Sequence, residues 1–286
     1  DPVAFVDQVA KHFLLADEAP RILGQFAQRL LHGLVHGGVV HHGAGPAFVE
    51  FLKGVRFICG HNILAHDLKY LSSAVAKAGI SSERFIDTLP LSPLLFPKRP
   101  YHKLLKDDKL QPFELNNPLN DAIKAKDLFY DEVTAFKETA PPLKRILYLL
   151  LKKRPEFEGF FNYVGYHSDD ADLPQLIREA FDDKICEYAD IPQLILDQPA
   201  ELAYCLALIH CDSRDSITPR WVLKRYPRVG NVMLLLRAKP CLYGCAYCNQ
   251  ALDPNKKLKQ FFHLDSFRTY GDVPLQEQAV KAAIDN

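Results

Sequence analysis

Three cysteines within the eight residues CLYGCAYC, namely Cys241, Cys245 and Cys248, constrain this chain more than any other stretch. Thiolates this close repel one another unless a cation neutralises them, so the CxxxCxxC spacing predicts a metal centre that dictates the local fold. Gly244 lets the backbone turn so that the sulfurs converge. A fourth thiolate would close the site and make it structural, adding folding free energy on the order of 10 kcal/mol by comparison with zinc in small peptides. Cys211, in IHCDSRDSITPRW, is the first candidate for that ligand and Cys205 the second. Cys59 and Cys186 are expected in packed interior, where isolated cysteines usually lie. Zn²⁺ and an iron–sulfur cluster both fit the spacing.

Seven cysteines, an odd number with three packed together, suit metal ligation in a reducing, intracellular compartment better than a secreted disulfide framework. Lys+Arg and Asp+Glu both total 35, so no overall positive field points to nucleic acid, although a local basic groove is compatible with that balance. The longest apolar stretches, such as ILYLLL at 146–151, fall far short of the roughly 20 residues of a bilayer span, so no membrane partner is expected. The chain opens on Asp1 without a signal-peptide pattern and stops inside a helical pattern, and both ends read as cut from a longer protein.

From residue 1 to about 137, helix-like stretches alternate with short apolar runs. VRFICG (55–60) and RFIDT (84–88) read as buried strands, each followed by a helical pattern, which is α/β organisation. NDAIKAKDLFYDEVTAF has apolar residues at 122, 123, 128, 129, 133 and 136, one helix face. From 140 to 210 the pattern is helical, with prolines at 155, 174, 192 and 199 as breaks. SITPRWVLKRYPRVGNVMLLLR reads as an extended or mixed segment before the cysteines. His36, His41 and His42, in a Gly-rich stretch without a neighbouring Cys or carboxylate, read as loop histidines.

CGHNILAHDLKYL (59–71) sets Gly-His-Asn at the end of an apolar strand, with Asp67 on the first turn of the following helix. FIDTLPLSPLLFP follows, and ELNNPLNDAIKAKDLF brings Asp121 to the start of a later helix. This series resembles the second and third motifs of the DEDD superfamily, the DnaQ-like 3′ to 5′ exonucleases of ribonuclease H-like fold, over roughly residues 45–137. The resemblance implies that Asp67 and Asp121 hold Mg²⁺, that Asn62 steadies the strand-to-helix turn, and that the partner is a DNA single strand or 3′ end. The family's first motif, Asp-x-Glu on an opening strand, has no counterpart ahead of residue 45, and that strand is expected upstream of Asp1. Asn116 and Asn117 occupy the positions of the family's general base, and an amide cannot take a proton from water. Slow cutting, use of His102 as base, or binding without cutting follow as expectations. For this chain alone, binding without catalysis is expected.

LKQFFHLDSFRTYGDVPLQEQAVKAAIDN (258–286) resembles the opening of RecQ-family DNA helicases, in which a Phe-Arg pair and a Gln recognise adenine ahead of the phosphate loop. The resemblance implies that Arg268 stacks near the base of ATP and that Gln276 reads its edge, although the spacing between them is wider than the family's. No GxxxxGK[ST] loop occurs in the 286 residues, so ATP hydrolysis is expected to need sequence beyond Asn286. The cysteine spacing, with Tyr247 before the last Cys, also resembles that of radical S-adenosylmethionine enzymes, but those place the motif near the start of a barrel.

The combined expectation is an α/β, ribonuclease H-like exonuclease domain at 1–137, truncated at its N-terminus, followed by a mainly α region with a Cys metal site. That region divides into a helical linker domain at 138–210 and a Cys segment at 211–252, and 253–286 begins a RecQ-like helicase domain. DNA repair or recombination is the process implied. The rival readings are a radical S-adenosylmethionine enzyme and a non-catalytic DNA-binding or interaction module.

Overall fold

The computed structural model describes residues 21–22, 49, 52–99, 102, 118–211, 218–252 and 282, with residues 21, 22, 70, 71 and 118–123 described by their backbone alone. The chain is mostly helical around a small parallel sheet. β1 (Arg21–Ile22), β2 (Ile58–Gly60) and β3 (Phe85–Asp87) lie in that order, with Ile58 opposite Arg21 and Phe85, and Gly60 opposite Asp87. The strands expected at 55–60 and 84–88 form as β2 and β3. β1 lies ahead of residue 45 but consists of Arg-Ile alone, without an Asp-x-Glu. A two-residue strand is too short to show an alternating pattern, and it is defined by its bonds to β2.

Side-chain alternation divides the sheet between two cores. Ile58 and Phe85 face a small cluster with Leu52, Val55, Ile63, Val75 and Ile80, whereas Cys59 and Ile86 point into the large helical core. α1 (Leu68–Lys77) connects β2 to β3, as parallel strands require, and Gly79, at φ +68°, turns the chain out of it. α2 (Thr88–Leu95) follows β3 directly.

α3 (Pro118–Glu138) packs along β2 and α2, burying Ala125, Phe129, Val133 and Phe136, the face its periodicity predicts. α4 (Pro141–Leu151), α5 (Pro155–Val164), α6 (Leu173–Ala180), α7 (Ile191–Asp197) and α8 (Pro199–Cys211) complete the bundle. The prolines that read as breaks are starts: Pro155, Pro174, Pro192 and Pro199 all lie in first turns, where a missing N–H costs nothing. Asp172 and Asp190 cap α6 and α7, accepting from Gln175 N and Gln193 N at 3.1 Å. α8 is the hub, with eight of its side chains buried, and its Tyr204 hydroxyl donates to the Pro90 carbonyl of α2 at 2.9 Å. One apolar cluster therefore runs from Cys59 and Ile86 of the sheet to Cys245 and Cys248.

The segment read as extended or mixed before the cysteines is helical: α9 (Arg220–Arg225) and α10 (Val229–Met233), the latter running into a π turn at Leu234–Ala238. Val222, Tyr226, Val229, Val232 and Leu236 are its buried residues, spaced by three and four. That helical period is present in the sequence but is interrupted by Pro227 and Gly230, which signal a loop.

Candidate functional site

α11 (Ala246–Ala251) begins at Cys245 and carries Cys248, while Cys241 lies just ahead of it. Gly244 makes the turn at φ +63°. A Cβ there would stand 3.0 Å from the Asn249 Oδ1, and Asn249 Nδ2 donates to the Gly244 carbonyl at 2.6 Å. The turn aims backbone N–H groups at sulfur: Cys245 N donates to Cys241 Sγ at 3.3 Å and Cys241 N to Cys248 Sγ at 3.5 Å. Tyr247 is buried, its hydroxyl donating to the Arg237 carbonyl at 2.9 Å, which fastens α11 to the π turn.

The fourth thiol is Cys186. Its Sγ lies 4.0 Å from that of Cys245, and the four sulfurs of Cys186, Cys241, Cys245 and Cys248 all fall within 4.8 Å of one another. The π turn positions it, because the Leu236 carbonyl accepts the Cys186 N–H at 2.7 Å. This corrects two expectations. Cys211 is the half-exposed last residue of α8, and Cys205 is buried within α8 with its thiol 3.5 Å from the Val229 carbonyl; neither belongs to the group. Cys186 does lie in packed interior, as expected, but it also faces the other three. Nothing in its flanks, KICEYAD, marks it as a ligand, since its partners lie more than fifty residues away in the chain. Cys59 is fully buried, as expected.

Four thiols with this spacing could hold a metal ion, Zn²⁺ or iron–sulfur, and the donor set fits. The Cys245 N–H holds the Cys241 thiol down to about 7, as it would stabilise a thiolate, while burial pushes Cys248 up to about 12 and raises Cys186.

A second group gathers at the carboxyl ends of β2 and β3. Asp87 is fully buried and accepts from Asn62 N (2.7 Å), Leu64 N (3.2 Å) and Leu89 N (3.1 Å), capping α2 and fixing the turn after β2. Asn62 sits at φ +63°, a left-handed geometry that Asn tolerates better than most residues, so its place at the strand-to-helix turn has a backbone cause. Replacing Asp87 with Ala removes three hydrogen bonds at once and is expected to cost about 3 kcal/mol in urea denaturation.

Asp67 is the N-cap residue of α1, yet its side chain makes no capping bond. It is 3% exposed, and its Oδ1 has no hydrogen-bond partner among the described residues. Burial, with Asp87 adding repulsion, pushes its carboxyl up to about 7. Asp121 lies in the first turn of α3, but its side chain is outside the described residues. Glu132, not anticipated, is fully buried on the core side of α3 with both carboxylate oxygens unpartnered among the described residues, and burial beside Asp87 raises its pKa well above the usual range. His102 is buried against Ser92, with Nδ1 2.8 Å from the Ser92 hydroxyl, and burial lowers it to about 4, which leaves a neutral ring. His61, similarly lowered, pairs with the Thr88 hydroxyl at 2.9 Å.

Arg268, Gln276, Asn116, Asn117, His36, His41 and His42 lie outside the described residues. No described helix is long and apolar enough to cross a membrane. No protein family, curated protein or solved structure matches this chain.

Proposed function

We propose that the chain is the DNA-engaging part of a RecQ-like helicase, with a ribonuclease H-like, exonuclease-type sheet region and a helical half braced by a four-thiolate metal centre. Asp67 carries this reading: a buried carboxylate whose Oδ1 has no hydrogen-bond partner among the described residues, at the carboxyl ends of parallel strands, the position at which open α/β sheets receive ligands. Asp67 and Asp121 would hold Mg²⁺, which supplies water activation and stabilisation of the leaving oxygen in phosphodiester cleavage. With Asn116 and Asn117 at the base positions, the chain binds a DNA end without cutting it. Arg268 and Gln276 belong to the adenine contacts of the helicase half, and ATP binds there only in the complete helicase.

The charge state of Asp67 gives the test. A carboxyl whose folded pKa of about 7 exceeds its unfolded value near 4 binds its proton more tightly when folded, so its contribution to stability is present below pH 4 and is lost as pH rises through 7. Asp67→Asn is therefore expected to raise the melting temperature at pH 8 by about 3–6 °C and to leave it unchanged at pH 4. Mg²⁺ is expected to stabilise the wild type at pH 8 and not the variant. Equal Mg²⁺ stabilisation of both proteins would overturn the reading.

For the thiolate centre we infer a single tetrahedral Zn²⁺. With a Zn–S bond near 2.3 Å, sulfurs stand roughly 3.8 Å apart, close to the spacing here, whereas a cubane puts each thiolate on a different iron and spreads them farther. Four protein thiolates also leave no open iron for S-adenosylmethionine. Metal analysis giving one zinc per chain is expected, and a brown protein carrying iron and sulfide would overturn the assignment.

A further inference from the structure

We propose that Tyr188 and Tyr243, together with Leu242 and Lys239, form a stacking platform for single-stranded nucleic acid beside the thiolate centre. This rests on the DNA-engaging reading above and names the surface involved. The two rings are 52% and 74% exposed, yet their centroids lie 4.6 Å apart at 36°. Each follows a metal ligand by two residues, Tyr188 after Cys186 and Tyr243 after Cys241, so the metal that joins those segments also sets the ring spacing. Leu242, between Cys241 and Tyr243 in the chain, is 98% exposed. Both rings, Leu242, Leu235 and Lys239 line a cavity of about 490 Å³. Aromatic faces accept any base, whereas isolated exposed tyrosines and leucines gain nothing from water.

Charge selects nucleic acid as the occupant. Residues 218–252 contain Arg220, Lys224, Arg225, Arg228, Arg237 and Lys239 and not one Asp or Glu, in a chain whose total charges balance. Arg225 is engaged with Glu156 at 3.4 Å and Arg237 with the Tyr247 hydroxyl at 3.2 Å. Arg220, Lys224, Arg228 and Lys239 are exposed, opposite the buried stripe of α9 and α10, and the series ends at the cavity. Asp190, whose carboxylate caps α7, and the exposed Glu187 beside Tyr188 are the negative charges on this side, so phosphate contact falls to Lys239 on the opposite segment and to the basic series that leads to it. The core of a protein-binding patch is depleted of lysine, whereas here Lys239 lines the same cavity as the two rings.

The test is fluorescence anisotropy with a fluorescein-labelled oligothymidylate and the full chain in its metal-loaded form, with metal content measured on every variant. Tyr188→Ala with Tyr243→Ala is expected to weaken binding at least tenfold while metal content stays unchanged. Arg228→Ala with Lys239→Ala is expected to flatten the slope of log affinity against log salt by roughly 1.4, about 0.7 for each lost phosphate contact. Unchanged affinity after both ring truncations, in protein that Mg²⁺ still stabilises, overturns the platform and leaves the proposed function standing. A wild type that binds no oligonucleotide overturns both. Loss of self-association in the ring variant, without loss of oligonucleotide affinity, overturns the platform in favour of a contact between copies of the chain.

Discussion

Cys186→Ser is expected to strip the metal from the helical half and to lower stability by about 5 kcal/mol, roughly half of what structural zinc supplies to small peptides. The size of the effect follows from where the thiol sits. Cys186 is held by the Leu236 carbonyl and faces three thiols from a turn already shaped by Gly244, so one side chain links two otherwise separate segments. A serine hydroxyl there leaves three sulfurs and a weak fourth ligand. Metal-to-protein ratio and the urea midpoint are the two readouts, and a chelator added to the wild type is expected to bring its midpoint to that of the variant. Cys205→Ser and Cys211→Ser separate the roles: both keep the metal, and Cys205→Ser alone disturbs the core of α8. Full metal content in Cys186→Ser, or its loss in Cys211→Ser, would remove Cys186 from the ligand set.

Gly159→Ala is expected to cost about 3 kcal/mol and to be the most damaging added methyl among the described glycines. A Cβ at Gly159 would stand 2.0 Å from the Phe85 carbonyl oxygen and 2.7 Å from its carbon. Both atoms are backbone, in the first residue of edge strand β3, so relief requires α5 to lift from β3. That crossing couples the two halves of the molecule, with Asn162 Nδ2 donating to the Glu83 carbonyl at 3.2 Å one turn farther along α5. Guanidinium denaturation that showed no loss, or a variant in which only the helical half remained folded, would mean that the sheet and bundle are not joined through this contact.

Much of this architecture could be read along the chain because the signals were local. Strands at Ile58–Gly60 and Phe85–Asp87 stood out as apolar runs bounded by turn residues, and the buried face of α3 followed from its spacing. The three-cysteine turn was legible for the same reason. Cys186 was not, because what makes it a ligand is the distant π turn, whose Leu236 carbonyl holds it against the three-cysteine turn. Asp87 was visible as a residue of the FIDTL run, but its three amide donors come partly from a loop more than twenty residues earlier, which no spacing encodes. Glu132 carried a signal that went unused: it stands three residues after Phe129 and four before Phe136, on the apolar face of α3, so the helical period places it toward the core. The α9–α10 region carried a regular apolar stripe that proline and glycine obscured, since both residues also occur at the joints between short helices.

A metal held between Cys186 and Cys241 would have a mechanical consequence. If the chain were pulled from its two ends with a metal on those thiols, all residues between the cysteines, including α7, α8, α9 and α10, would be shielded from the force until a metal–thiolate bond ruptured. On rupture they would release contour length on the order of 190 Å in a single step. Single-molecule extension would record this as one long rip with metal bound and as several shorter, weaker ones after chelation.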